Sequence, residues 1–291
     1  MSATHSTVQL SDGAKLQVWL LGDDKSKPLV IAVHGAPGLS SHVEPQNSFS
    51  FLTSQYRVLV YDARGSGESD AKGPLTDQRW IADVDEIRQW AGVDRFILAG
   101  GSYGGFIALG YALAYPSRIS ALILRDTWAF GFRGALRNAA TVASDPRIKG
   151  DAAQQLRLWS GTVLDDEDFR TALAGIMPMY NADADGEGQT GGKPARKFEG
   201  AAFRLRYETH NAAFSYSVPR FDVRARLGEI RVPTLVVVGR QDLVATVGDS
   251  EEIHAGIPGS ELAIFEKSGH SPPSEEPKAF QARVWKFIES L

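Results

Sequence analysis

The sequence predicts an α/β protein with a mostly parallel central sheet flanked by helices. Three observations predict it. Apolar runs without alternation recur along the chain, at Pro28 to Val33, Arg57 to Tyr61, Arg95 to Ala99, Ile119 to Leu124 and Pro233 to Val238. Such runs suit strands buried on both faces. Helical spacings fill the gaps between them. The chain has 291 residues, enough to bury a large core in one big domain or in a core with an insertion.

Each element has its own reason. Thr7 to Leu10 and Lys15 to Leu21 alternate like strands around Asp12-Gly13, so they read as a hairpin behind a polar tail that holds His5. The five apolar runs follow, and Glu261 to Phe265 is a sixth. Thr76 to Trp90 is helical, with Trp80, Ile81, Val84, Ile87 and Trp90 at three- and four-residue spacing. Tyr103 to Tyr115, Ser250 to Ile257 and Pro277 to Leu291 complete the helices of the sheet.

The alternation breaks between residues 127 and 227. Amphipathic pieces lie at Gly134 to Ala143, Ala152 to Leu164, Glu167 to Ala174 and Ala201 to His210, with no buried-strand run. Asn181 to Lys197 is rich in Gly, Asp and Lys and reads as a mobile loop. The expected organisation is a core of residues 1–126 and 228–291 with a helical cap at 127–227. A cap inserted after a strand lies over the strand ends, where ligands of such sheets bind.

Composition narrows the function. The net charge is −4 and no dense Lys/Arg cluster occurs, which argues against a nucleic-acid or anionic-membrane partner. There is no cysteine, hence no disulfide, thiol nucleophile or thiolate metal site. Met1 to Leu10 is polar, and no apolar run approaches the ~18 residues that span a bilayer, so a cytoplasmic location is expected. The expected partner is a small-molecule or short-peptide substrate. No feature sets an oligomeric state.

The chemistry centres on Gly100-Gly101-Ser102-Tyr103-Gly104-Gly105, between a strand run and a helical run. A serine at a strand-to-helix apex flanked by glycines has the form of a nucleophile elbow. A serine hydroxyl needs a positioned base. Among six histidines, His270 follows Lys267-Ser268-Gly269 just past the last strand, which makes it the candidate base. Asp242 lies just past Val236 to Val238 and is the candidate acid that orients it, with Asp126 the alternative. An oxyanion needs preorganised donors. The candidates are the backbone N–H groups of Tyr103 and of Ala36, the latter in His34-Gly35-Ala36-Pro37-Gly38. The His34 side chain reads as a tie for that loop, and Asp62 and Arg64 as members of buried pairs.

Two other motifs carry less. Asn181-Ala182-Asp183-Ala184-Asp185-Gly186 resembles half a calcium loop, but Gly192 stands where a bidentate Glu belongs. No dinucleotide fingerprint is present, because the glycine turn holds a serine at its apex. No metal and no cofactor are expected.

At these residues the chain resembles the α/β-hydrolase superfamily over nearly its full length, and within it the proline iminopeptidase-like branch. The matches are His34-Gly35-Ala36-Pro37-Gly38, then Tyr61-Asp62-Ala63-Arg64-Gly65-Ser66-Gly67-Glu68-Ser69, the elbow, and Ser268-Gly269-His270. The order Ser102, Asp242, His270 is that family's order. The resemblance implies an α/β-hydrolase fold with a helical cap after the sixth strand. It also implies a serine hydrolase that cleaves a small amide or ester through an acyl-enzyme, without a cofactor. An esterase or lactonase acting on an uncharged molecule is the alternative, and a non-catalytic small-molecule binder a second one. The chain departs from the branch at Ala36, where the branch has Gly, and at Leu243, where some relatives carry an acidic residue. The branch's amine-binding carboxylate has its candidate in Glu208. Trp128, Phe130, Phe132, Tyr207, Phe214 and Tyr216 either line an apolar pocket or form the cap's own core.

Overall fold

The first two strands, β1 (Ala3–Gln9) and β2 (Lys15–Leu21), pair antiparallel around Asp12-Gly13 in the computed structural model, which describes residues 3–146, 148, 151–182 and 204–291. β1 reaches back to Ala3, so His5 belongs to a strand and not to a tail. Its first residues are exposed and show no alternation, and pairing with the β2 backbone holds them. The His5 ring also stacks on Trp19, with centroids 4.6 Å apart.

The apolar runs become β3 (Leu29–Val33), β4 (Arg57–Tyr61), β5 (Phe96–Gly101), β6 (Ile119–Arg125) and β7 (Thr234–Gly239), followed by β8 (Glu261–Phe265). The sheet order is β1-β2-β4-β3-β5-β6-β7-β8. Every neighbouring pair from β4 onward is parallel. All residues of β3, β4, β5 and β7 are buried, which explains their unbroken apolar sequence.

The helices cover both faces. A short helix, α1 (Val43–Phe49), lies in a stretch with no clear periodicity. α2 (Asp77–Trp90) starts at Thr76, whose side chain caps the Arg79 N–H. It buries Trp80, Val84 and Ile87, but Trp90 is exposed. It also buries Asp83 and Asp85, which pair with Arg64 (2.8 Å) and Arg88 (2.7 Å). α3 (Tyr103–Ala114) follows β5 directly.

Between β6 and β7 the described residues form α4 (Gly131–Ser144), α5 (Ala152–Ser160), α6 (Asp166–Tyr180) and α7 (Tyr207–Ala212). They hold no strand, only an isolated bridge from Phe130 to Asp222. Asp165 caps α6 by accepting the N–H groups of Glu167 and Asp168. α6 runs six residues beyond its expected end, because Phe169, Ala172, Leu173, Ile176 and Met179 extend one buried stripe. The expected mobile loop and the calcium-loop look-alike lie outside the described residues from position 183 onward. α8 (Val247–Gly256), α9 (Pro272–Glu275) and α10 (Pro277–Ile288) complete the chain. Among the described residues no helix is long and apolar enough to cross a membrane.

Candidate active site

Ser102 sits between β5 and α3 at φ 55° and ψ −124°. A non-glycine residue at positive φ is strained, and the surrounding contacts must hold it. The Ser102 N–H donates to Arg125 O (2.9 Å), and Thr127 Oγ1 donates to Ser102 O (2.8 Å). Gly104 permits the crossing of α3 over β3, since a Cβ there would lie 2.5 Å from Val33 O. The turn is therefore fixed from both sides by neighbouring strands.

His270 follows β8 in a loop with several anchors. Its N–H donates to Tyr180 O (2.8 Å), and its carbonyl accepts from Arg125 (3.0 Å). The Gly269 N–H donates to Glu275 (2.9 Å). On the ring, Nδ1 lies 2.8 Å from Asp242 Oδ2, while the buried Nε2 has no hydrogen-bond partner among the described residues. The other oxygen of Asp242 accepts from the Val244 N–H (2.7 Å) and the Ala245 N–H (3.0 Å), which fixes the carboxylate's orientation. Burial alone would push the His270 imidazole down. The adjacent Asp242 carboxylate, together with Asp126, outweighs it, and the net shift is upward.

One cavity collects these groups. Its walls include Ala36, Ser102 and His270 from the sheet side, and Trp159, Tyr180 and Phe214 from the segment between β6 and β7. Ala36 and Tyr103 both line it, and the first-turn N–H of α3 has no acceptor within its helix. His34 lies behind the wall. Its Nδ1 donates to Gly35 O, and its Nε2 accepts the Ala63 N–H, both at 2.9 Å. The loops after β3 and β4 are thereby tied together. Arg64 and Asp62 are buried as pairs, Arg64 with Asp83 and Asp62 with His42 (each 2.8 Å).

The α/β-hydrolase fold family matches residues 28–277. The chain belongs to that family. A proline iminopeptidase from Pestalotiopsis fici is 31% identical over 96% of this chain and 97% of its own. A putative carbamate hydrolase from Agrobacterium fabrum is 28% identical, covering 91% of this chain and 94% of its own. Among solved structures, a hydrolase from Pseudomonas aeruginosa superposes with a TM-score of 0.75 at 29% identity, covering 98% of both chains. The chain is thus an α/β-hydrolase enzyme of the proline iminopeptidase-like branch.

The remaining pocket candidates divide within this α/β-hydrolase. Trp128 and Phe214 line the cavity. Trp128 Nε1 also donates to Val244 O (2.9 Å), tying the loop after β6 to the loop that carries Asp242. Glu208 is exposed and Tyr207 half-buried, and neither lines the cavity. The inward positions of that segment are Thr209, His210, Ala213 and Phe214, so Glu208 points the other way. Phe130, Phe132 and Tyr216 are not among the lining residues, and the last two are exposed. Trp159, Tyr180 and Arg125 were not singled out from sequence. In the sequence the two aromatics read as packing residues of amphipathic stretches, and Arg125 closes an apolar strand where a charge has no local meaning.

Among the described residues, the donors close enough to share an ion are Asp126, Asp242 and His270. They do not suit one. Both Asp242 oxygens are engaged, and the buried Arg125 guanidinium stands against Asp126 at 3.1 Å.

Proposed function

We propose that this α/β-hydrolase is a serine hydrolase that cleaves a small, neutral carboxylic ester or amide through an acyl-enzyme. The observation that carries the reading is the His270 ring: Asp242 engages Nδ1, and Nε2 is left bare beside the cavity that Ser102 also lines. In this reading Ser102 Oγ attacks the acyl carbon and gives its proton to His270 Nε2. Asp242 stabilises the imidazolium. The N–H groups of Ala36 and Tyr103 receive the oxyanion. The leaving alcohol or amine takes the proton from His270, and water repeats the sequence to free the acid. Residues 127–227 act as a cap that shapes the pocket and limits water.

The lining supports a neutral substrate. Phe106, Trp128, Trp159, Phe214 and Val244 are apolar or aromatic, and among the described residues the one carboxylate that lines the cavity, Asp126, already accepts hydrogen bonds on both oxygens. An α-ammonium would be desolvated there without a free carboxylate partner among the described residues, which costs several kcal/mol. The proline iminopeptidase relative supports amide cleavage, so the two substrate classes need direct comparison. Acetyl and butyryl p-nitrophenyl esters are expected to turn over with kcat/KM about 100-fold above proline p-nitroanilide, the ratio that ~2.7 kcal/mol produces. Equal or better cleavage of the proline anilide would overturn the neutral-substrate reading.

Trp159 is the candidate for a polar contact in this wall. It is 7% exposed, and its Nε1–H is buried without a partner among the described residues. An indole nitrogen only donates, so it suits a substrate oxygen and not an ammonium. Trp159→Phe keeps the aromatic wall and removes the donor. With the turned-over ester it is expected to raise KM about tenfold, the worth of one hydrogen bond to a buried donor, with kcat little changed. An unchanged KM in steady-state kinetics would show that the indole N–H does not meet the substrate.

A further inference from the structure

Beyond the acid that orients His270, a second carboxylate stands at the same imidazole. Asp126 directly follows β6, is 1% exposed and lines the cavity. One oxygen of Asp126, one of Asp242 and a ring nitrogen of His270 lie within 4.8 Å of one another. Among the described residues only two non-glycine residues have positive φ, and they are Ser102 (55°) and Asp126 (48°). Backbone strain persists where surrounding structure imposes it, and here it falls at the nucleophile candidate and at this aspartate.

The contacts of Asp126 define how it is held. Oδ1 accepts the Gly239 N–H (3.1 Å), at the end of the strand that leads to Asp242. Oδ2 accepts from Arg125 Nη1 (3.1 Å), which also donates to the His270 carbonyl (3.0 Å). The other terminal nitrogen of Arg125 pairs with Glu44 of α1. Among the described residues, the charged groups around the imidazole are therefore Asp242 from the β7 end, Arg125 and Asp126 from the β6 end, and Glu275 from α9, with Glu44 of α1 behind Arg125 and Tyr180 of α6 edge-on to the ring. Arg125 and Glu44 offset each other, so Asp126 adds a negative charge beside His270 that Asp242 does not supply. Burial, and then the neighbouring Asp242 charge, push the Asp126 carboxyl up, while Arg125, His270 and the Gly239 N–H oppose them. The two hydrogen bonds that Asp126 accepts, one of them from the Arg125 guanidinium, favour its ionised form.

We propose that Asp126 is a positioning residue for catalysis, a second carboxylate whose field, together with Asp242, stabilises the His270 imidazolium formed when the serine gives up its proton. The proposal rests on His270 being the base. It differs from a purely structural role, since a residue that only held Gly239 and Arg125 in place would not set the titration of the imidazole. It also differs from the usual division of labour, in which one acid serves the base.

The test is a set of pH–rate profiles with the ester that the wild type turns over. Asp126→Asn keeps the shape and tolerates positive φ, and Asp126→Gly suits that φ outright, so both variants are compatible with the backbone. In each, the acidic limb of kcat/KM is expected to move to lower pH by about one unit, because a negative charge within about 4–6 Å of the imidazole is gone. KM is expected to stay near the wild-type value. Asp242→Asn is expected to keep at least about tenfold more activity than the Asp126→Asn/Asp242→Asn double variant, since Asp126 remains in the single one. An acidic limb that does not move in either Asp126 variant overturns the proposal, as does a double variant no worse than Asp242→Asn. Failure of the underlying reading is distinct: His270→Gln would then retain wild-type turnover.

Discussion

Ser102→Ala is expected to lower kcat by about 10⁴-fold or more while leaving the fold intact. The residual rate would come from substrate binding and the oxyanion donors alone. The fold is expected to persist because the Ser102 side chain caps nothing, and the hydrogen bonds that hold the turn use backbone atoms and Thr127. Alanine keeps the same strained φ of 55°, so the thermal midpoint is expected to shift by no more than a few degrees. Steady-state kinetics, a melt and labelling with a fluorophosphonate probe check this together. The wild type is expected to be labelled and the variant not. Retention of ester turnover by Ser102→Ala would remove the serine from the mechanism.

Gly239→Ala is expected to be the most damaging change away from the cavity wall. The Cβ of an alanine there would fall inside contact distance of Gly269 O and Ser268 O, the two carbonyls just before His270. These are backbone atoms, so the clash is relieved only by moving the loop or the end of β7. Gly239 also donates its N–H to Asp126, so a shift of that strand end disturbs both carboxylates beside the ring. Overpacking of this kind costs about 1–3 kcal/mol of stability. Displacing a catalytic group by about 1 Å costs about 100-fold in rate. A lowered thermal midpoint with a kcat loss near that size, at nearly unchanged KM, is the expected result. A stable variant with wild-type kcat would mean that the His270 loop is not held against β7 as described.

Much of the fold was legible because its signals are local. A strand buried on both faces has no polar face, so β3 to β7 stand out as apolar runs whatever lies beside them. α1 was not legible, because seven residues with a proline inside carry too little periodicity. β1 was half legible, because an exposed edge strand is held by backbone pairing and its side chains need not alternate. The far end of α6 was missed although its stripe continues through Met179, because Pro178 reads as a breaker. Ending α6 at the expected Ala174 leaves Met179 and Tyr180 outside it, and the Tyr180 carbonyl accepts the His270 N–H.

The site followed the same division. Chain order and position past strand ends singled out Ser102, Asp242 and His270, because a parallel sheet brings its carboxyl ends to one edge. Glu208 and Tyr207 were chosen by type and neighbourhood, and helix phase turned them away from the cavity. One residue of phase on a helix turns a side chain by about 100°, so a short helix without a long stripe leaves that choice open.

The sequence by itself determined the parallel sheet, the elbow and the family, since strand burial, glycine-flanked turns and residue order are written in neighbouring positions. Only the tertiary structure decided that Trp159, Tyr180 and Phe214 close the cavity, and that Arg125 and Asp126 stand against the His270 loop about 145 residues further on. The physical reason is the crossover connection. Parallel strands meet only after long intervening segments, so the neighbours of a side chain across the sheet depend on strand order and helix phase, which no local stretch of sequence encodes.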